Sequence, residues 1–102
     1  MTTAAFPKLH FREPFVDIVA FEVPHKGWYD GVTVELEDGR MVPLFFYDPT
    51  RLAQDLASDA AQGEPFVAEH FMVVVPEVTE AAMRTAISLL HSKGWFNARG
   101  AT

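Results

Sequence analysis

Residues 31–49 read GVTVELEDGRMVPLFFYDP and predict a β-hairpin that runs into the start of a helix. Apolar and polar residues alternate over residues 32–37, as in a strand with one buried face. Asp38 and Gly39 separate this segment from a second apolar run at residues 41–47. An Asp-Gly pair in this position favours a two-residue type I′ turn, because that turn needs positive φ at both central residues. We therefore expect two antiparallel strands joined at Asp38 and Gly39.

A two-residue turn would also set the register of this hairpin. It places Leu36 opposite Met41 and Val34 opposite Pro43, so that these four side chains share one face of the sheet. Pro43 has no N–H to donate, and in this register its nitrogen points away from the partner strand. The strand that holds Pro43 is therefore expected to be an edge, or to be bulged, near that residue.

Two helices are predicted, each from its start and stop signals. Asp48, followed by a proline, is a good N-cap for a helix over residues 49–62, which Gly63 would end. A second helix is expected over residues 79–93, with Thr79 as its N-cap, a broad apolar arc at helical spacing and Gly94 as its stop.

Two further apolar runs complete the predicted sheet. Residues 15–23 and 66–75 are rich in Val and Phe and both stop at a proline, so each is expected to be a strand. The resulting order is βββαβα, which indicates an α+β, two-layer sandwich: a mostly antiparallel four-stranded sheet with two helices on one face. Residues 1–13 show no periodicity and are expected to form an N-terminal arm before a single α+β domain at residues 14–102.

The composition is typical of one soluble globular domain. The chain has 102 residues, 49% of them hydrophobic, a formal net charge of −6 and no cysteine. Its length suits one core, and its apolar fraction is too high for a disordered protein. The acidic balance argues against nucleic-acid binding, and the lack of a long apolar run argues against a membrane partner. The absence of cysteine fits a reducing compartment, so a cytoplasmic location is expected.

The negative charge is concentrated in the middle of the chain. Residues 30–69 hold nine acidic and two basic residues, a formal charge of −7. Asp55 and Asp59 lie one turn apart on the outer face of the first predicted helix, and Glu64 follows that helix. These three acids indicate either a solvated face or an acidic surface that attracts a basic protein partner.

The segment HKGWYDG at residues 25–31 is the first candidate binding site. We expect it to be a loop, and four of its side chains are candidates for recognition: His25, Trp28, Tyr29 and Asp30. Loops held by a rigid sheet often carry function, and Trp and Tyr offer large contact areas with one polar end each. The alternative interpretation is structural: Trp28 closes the edge of the core, Asp30 accepts backbone N–H groups, and the glycines set turns. The residue pattern favours the structural interpretation.

His70 is the second candidate. In the predicted strand it shares a face with apolar residues such as Met72, which favours a hydrogen-bonded core histidine. If His70 instead lies beneath residues 25–31, it would line a pocket together with Trp28 and Tyr29.

The chain has no phosphate loop, dinucleotide fingerprint, nucleophile elbow or zinc-protease motif, and its four histidines lack metal-ligand spacing. We therefore expect no cofactor and no metal, and favour a non-enzymatic protein. Several predicted strands are apolar on both faces, and two helices can cover only one face of the sheet. The N-terminal arm, a second subunit or a partner must cover the other face, and a homodimer through the sheet is the most economical of these options. The leading hypothesis is a homodimeric protein-interaction module with an acidic partner surface. The alternative is a small-molecule binding protein or minor enzyme with a pocket near Trp28, Tyr29 and His70.

Two stretches resemble a known class of proteins in general style. These are the hairpin GWYDGVTVELEDG and the ending MVVVPEVTEAAMRTAISLLHSKGWF. They resemble small uncharacterised bacterial α+β proteins, some of which resemble immunity partners of toxins. The resemblance covers part of the chain and includes no specific motif, so no functional residues are carried over.

Overall fold

A computed structural model describes residues 6–97 and shows a four-stranded mixed sheet with three helices. The strands are β1 Lys8–Phe11, β2 Trp28–Glu35, β3 Met41–Tyr47 and β4 Met72–Val74, and the helices are α1 Asp17–Lys26, α2 Pro49–Ala61 and α3 Glu80–Ser92. The predicted α+β class is confirmed. The element order is βαββαβα, so the predicted order and the predicted number of helices are wrong.

The strands lie side by side in the order β1-β2-β3-β4. The first two pairings are antiparallel, whereas β3 and β4 run parallel. The parallel pairing requires a long crossover, which α2 supplies. Strand β4 pairs only with Phe45–Tyr47, so β3 has no neighbour on that side at Pro43. This confirms the prediction that β3 is an edge near Pro43, which has no N–H to donate.

The hairpin between β2 and β3 is confirmed, but its predicted register is wrong by one residue. The Gly39 N–H donates to the Leu36 carbonyl at 2.9 Å, and the Leu36 N–H donates to the Arg40 carbonyl at 3.0 Å. Gly39 has a φ of 91°, so the connection is a three-residue loop with glycine in the left-handed region, not a two-residue type I′ turn. Val34 therefore lies opposite Val42, and Thr33 lies opposite Pro43.

This register decides which side of β3 enters the core, because neighbouring residues on a strand point to opposite faces. Val42, Leu44 and Phe46 are buried, whereas Met41 and Pro43 are exposed. We call the buried side of the sheet the inner face. The opposite side, which carries Met41, Pro43 and Phe45 on β3, is called the open face.

The core lies between the inner face and α3. Its fully buried side chains come from the central strands and from the region of α3: Val32, Val34, Leu44, Phe46, Val78, Met83, Ile87 and Phe96. Helix α2 contacts the other side of the sheet, where Asp55 accepts a hydrogen bond from Tyr47, the neighbour of Phe46. The two predicted helices therefore contact opposite faces, and the prediction that both cover one face is wrong.

The segment predicted as the first strand is a helix. Residues 17–26 form α1, with Pro24 in its last turn and Gly27, at φ 80°, as its C-cap. Val23 is buried and Val19, one helical turn before it, packs against the core. Phe21, which would share their face on a strand, is exposed, as expected for a helix. Composition suggested a strand because Val, Ile and Phe dominate, but tertiary contacts override such propensities.

The first and last strands also differ from the prediction. Strand β1 lies at Lys8–Phe11, within the segment taken as an arm, and pairs with β2. The long strand predicted over 66–75 is reduced to Met72–Val74, preceded by a turn at His70 and by Phe71 at φ 53°.

Both helices predicted from caps are confirmed. The Asp48 side chain accepts a hydrogen bond from the Arg51 N–H at the start of α2, and the Thr79 side chain accepts one from the Ala82 N–H at the start of α3. Helix α2 nevertheless contributes no buried residue. Its apolar stripe, which is rich in alanine, therefore packs only loosely against the protein; the stripe consists of Leu52, Ala53, Leu56, Ala57 and Ala60.

Gly27 is the glycine on which the α1–β2 junction depends. A Cβ at this position would lie 2.8 Å from the Asp48 carboxylate and 2.7 Å from the Arg51 Cβ, at a positive φ. We expect Gly27→Ala to lower the free energy of unfolding by about 2–3 kcal/mol, because backbone strain and a clash add up. Urea unfolding followed by circular dichroism measures this change.

Gly63→Ala is the matched control. Gly63 has a φ of 92° but nothing within 4 Å of an added Cβ. Backbone strain alone should cost about 1 kcal/mol there. Equal losses for the two variants would show that the contact with Asp48 and Arg51 contributes nothing.

Candidate functional site

Residues 25–31, predicted as a recognition loop, are not a loop. His25 and Lys26 end α1, and Trp28 begins β2. Because Trp28 pairs with Tyr47 and Tyr29 pairs with Phe46, the two aromatic side chains lie on opposite faces of the sheet. The candidate residues are therefore divided into two separate environments.

Trp28 belongs to an aromatic stack on the open face. Its ring lies 5.7 Å from that of Phe45, and the Phe45 ring lies 5.0 Å from that of Tyr47, both pairs close to parallel. The Lys26 ammonium lies 4.5 Å from the centre of the Trp28 ring, which is a cation–π contact. These contacts hold Trp28 against its neighbours on the open face.

A small groove runs along the end of this stack. Its lining residues are Trp28, Phe45, Tyr47, Arg51 and Asp55, and its volume is about 190 Å³. Asp55 accepts a hydrogen bond of 2.9 Å from the Tyr47 hydroxyl and one of 2.8 Å from Arg51 Nε. We call these three residues the Asp55 triad.

The protonation states of the Asp55 triad follow from its contacts. The hydrogen bond from Arg51 lowers the pKa of Asp55, with Tyr47 acting in the same direction. Burial, aided by the hydrogen bond to Asp55, raises the pKa of Tyr47 to about 12. At neutral pH the Asp55 carboxylate is charged and the Tyr47 phenol keeps its proton. The hydrogen bond between them connects α2 to the sheet.

Tyr29 lies on the inner face, only 2% exposed. Its ring meets the Phe15 ring edge-on at 5.3 Å, and its hydroxyl donates to Glu13. Burial, with the bond to Glu13, raises the pKa of Tyr29, while the same hydrogen bond lowers the pKa of Glu13. Tyr29 is thus a hydrogen-bonded core residue.

A charged surface group surrounds the Tyr29 hydroxyl. Arg12 forms ion pairs with Glu13 at 3.3 Å and with Asp30 at 3.1 Å. Asp30 is therefore engaged with Arg12 at the point where the β2–β3 register shifts. Gly31 is required there, because a Cβ on it would overlap the Tyr29 ring.

The two candidate histidines lie apart from these groups. His25 is exposed, and its Nδ1 lies 2.9 Å from the Phe21 carbonyl within α1. His70 is exposed in the turn before β4, so the prediction of a core histidine is wrong. The groove beside Trp28 is lined by neither Tyr29 nor His70.

The acidic residues also differ in their surroundings. Asp55 was expected on the outer, solvated side of its helix but is partly buried and paired with Arg51. Within residues 6–97, Asp59 and Glu64 make no ion pair. The four-residue spacing of Arg51 and Asp55 was a usable signal for their pair. The contribution of Tyr47 had no sequence signal, because it depends on how α2 meets β3.

Comparison with protein-family models, curated proteins and solved structures finds no match. Among the described residues, no group of three or more His, Asp or Glu side chains is placed to hold a metal ion. No helix within residues 6–97 is long and apolar enough to cross a membrane. A function must therefore be argued from the surfaces of this chain.

The Asp55 triad makes stability depend on pH. We expect Asp55→Asn to lower the free energy of unfolding by about 1 kcal/mol at pH 7, since the amide keeps the bond to Tyr47 but loses the charge. Because folding lowers the pKa of Asp55, the contribution is complete above the unfolded pKa of about 3.9 and disappears as pH falls through the lower, folded value. The difference between wild type and variant should therefore vanish in strong acid, as urea unfolding at a series of pH values would show.

Asp59→Asn, on the same helix, serves as the control for this experiment and should change stability little at any pH. A difference between Asp55→Asn and wild type that stays constant down to strong acid would contradict the charge-based account.

Proposed function

We propose that this protein is a non-enzymatic protein-interaction module that forms a homodimer through the open face of its sheet. The observation that carries the proposal is the exposure of large apolar side chains on that side of the molecule. Met41 on β3 is 53% exposed, Val74 on β4 is 46% exposed, and Leu56 on α2 is 43% exposed.

The structure of α2 supports the same proposal. Helix α2 lies on the open-face side but contributes no buried residue. Its apolar stripe therefore stays accessible to solvent and does not shield the open face of the sheet. On the inner face, in contrast, the central strands are buried beneath α3 and the residues around it. Monomeric proteins seldom leave an apolar surface of this kind in contact with water.

A second copy of the chain is the most economical cover for the open face. In a two-fold dimer the same patch appears on both sides of the interface, so one exposed surface covers the other. Polar residues border the patch, as at the rim of an interface. His10 and Glu35, for example, form a 2.9 Å contact on the β1 side of the open face.

The proposal includes an acidic surface for a basic protein partner, at the end of α2. Of the three acids considered for it, Asp59 and Glu64 provide the free charge, because the Asp55 carboxylate is engaged by Arg51 and Tyr47. Complementary charge of this kind mainly accelerates association.

The alternative, a small-molecule binding protein or minor enzyme, has less support. The groove beside Trp28 measures about 190 Å³, whereas ligand pockets usually measure roughly 300–1,000 Å³. Its polar groups are engaged in the Asp55 triad, which leaves few donors and acceptors for a ligand.

Met41→Glu tests the homodimer. The side chain is exposed, so the substitution should leave the fold intact, but it places a charge within the proposed interface. We expect wild type to sediment as a dimer at micromolar concentration and Met41→Glu to sediment as a monomer.

Ile18→Glu is the matched control, because Ile18 is 66% exposed on α1 and is not part of the open face. Its sedimentation should equal that of wild type. A monomeric wild type at high micromolar concentration, or equal effects of the two variants, would refute the dimer through the open face.

The acidic surface is tested by charge reversal. A basic protein recovered with this chain from its native cell, and identified by mass spectrometry, should associate roughly threefold more slowly with Asp59→Lys or Glu64→Lys. Glu22→Lys, an exposed position on α1, should leave the association rate unchanged. Equal rates for all three variants would refute the acidic surface.

A further inference from the structure

Strand β4 has an open backbone edge. On its paired side, the Phe71 carbonyl accepts from the Phe45 N–H at 3.2 Å, and the Val75 N–H donates to the Tyr47 carbonyl at 2.9 Å. Backbone groups alternate in direction along a strand, so the N–H and C=O groups of Met72 and Val74 point away from β3. Within residues 6–97 these groups have no backbone partner.

An apolar groove lies beside this edge. It has a volume of about 450 Å³ and is lined by Val74, Val75 and Pro76 from the strand region and by Ala81, Ala82, Thr85 and Ala86 from α3. Met83 and Ile87 of α3 are buried in the core, whereas Ala82 and Ala86 are only partly buried and line the groove beside β4. Small side chains on α3 leave room there for the side chains of an added strand.

The two edges of the sheet differ in their protection. Edge strand β1 carries Lys8, and charged residues on an edge oppose pairing with another chain. Edge strand β4 consists of Met72, Val73 and Val74 alone and carries no charge. Its length of three residues, closed by Pro76, limits an added strand to one short segment.

Charge at the two ends of the edge selects the occupant. Glu69 lies before β4 and Glu77 after it, and both are exposed. A second copy at this edge would bring the same acidic residues with it, and like charges at a strand pairing are unfavourable. A segment with Lys or Arg at its ends would meet both carboxylates favourably.

From these observations we infer that the β4–α3 groove binds an extended peptide segment of a partner protein, apolar in its centre and basic at both ends, by adding it as a fifth strand. The Met72 and Val74 backbone groups would hold the peptide main chain, and the groove would receive every second side chain. The Val74 side chain belongs to both surfaces, but the backbone edge of β4 and the alanine residues of α3 are not part of the open face, so the site does not depend on the proposed homodimer.

The direct test uses a fluorescent synthetic peptide, KKTVIVTKK, and fluorescence anisotropy with the full chain. We expect saturable binding that weakens as salt is added, since the terminal contacts are electrostatic. Two peptides serve as controls: EETVIVTEE reverses the end charges, and KKTPIPTKK keeps them but lacks two of the main-chain donors. Neither control should bind measurably.

Val74→Pro tests the main-chain contacts. The Val74 N–H points outward, so proline removes a donor from the edge without breaking the β3–β4 hydrogen bonds. We expect its affinity for KKTVIVTKK to fall roughly tenfold, with the urea midpoint of unfolding little changed. Thr85→Arg, an exposed groove residue, is a second variant that should weaken binding by filling the groove.

Glu77→Lys tests the charge contacts and should weaken binding roughly threefold, while Glu22→Lys on α1 should not change it. Equal binding of KKTVIVTKK and KKTPIPTKK would overturn the proposed site in favour of non-specific charge attraction. An equal loss of peptide affinity in Glu77→Lys and Glu22→Lys would have the same meaning. Self-association that persists in Met41→Glu and is lost when Val74→Pro is added, with peptide binding unchanged by Val74→Pro, would overturn the proposed site in favour of a second copy at this edge. Met41→Glu, which affects only the open face, should bind the peptide like wild type, so the two proposals can fail separately.

Discussion

The loop from Leu36 to Arg40 is the constraint on which the rest of the structure depends. Two backbone hydrogen bonds between these residues, and the left-handed conformation of Gly39, fix the pairing of β2 with β3. A loop one residue shorter would turn β3 over, because side chains alternate between faces. The loop length therefore decides that Val42, Leu44 and Phe46 build the core and that Met41, Pro43 and Phe45 form the open face.

The sheet then distributes the polar chemistry of the chain. Tyr47 and Asp55 meet on the open-face side, where Arg51 completes an internal network. Tyr29 and Glu13 meet on the inner-face side, where Arg12 forms an ion pair with Glu13. In both groups the charged side chains pair with one another. The first group holds α2 in place, and the second holds the segment between β1 and α1. Within residues 6–97 apolar side chains remain exposed and the backbone edge of β4 remains unpaired, and the two proposals of association rest on these features.

Candidate site residues could be identified from the sequence, but their grouping could not. The segment 25–31 does contain side chains with specific contacts, yet Trp28 and Tyr29 act on opposite faces because they are neighbours on a strand. His70 was placed in the core on the assumption of a long strand, which the turn before β4 removes. A single sequence does not show where a strand ends when apolar residues continue through the turn, so exposure at such positions is not predictable.

The sequence by itself determined the features that local chemistry controls. These are the α+β class, the position of the hairpin, and the starts of α2 and α3, where Asp48 and Thr79 bond to backbone N–H groups within one turn. Tertiary structure alone decided the helical state of residues 17–26, the use of residues 8–11 as a strand, and the exact pairing of β2 with β3. The apolar run of α1 suits either state in isolation, and packing of Val19 and Val23 against the core selects the helix. The physical reason is that caps and turns are satisfied by near neighbours in the chain, whereas register and burial depend on contacts between distant residues.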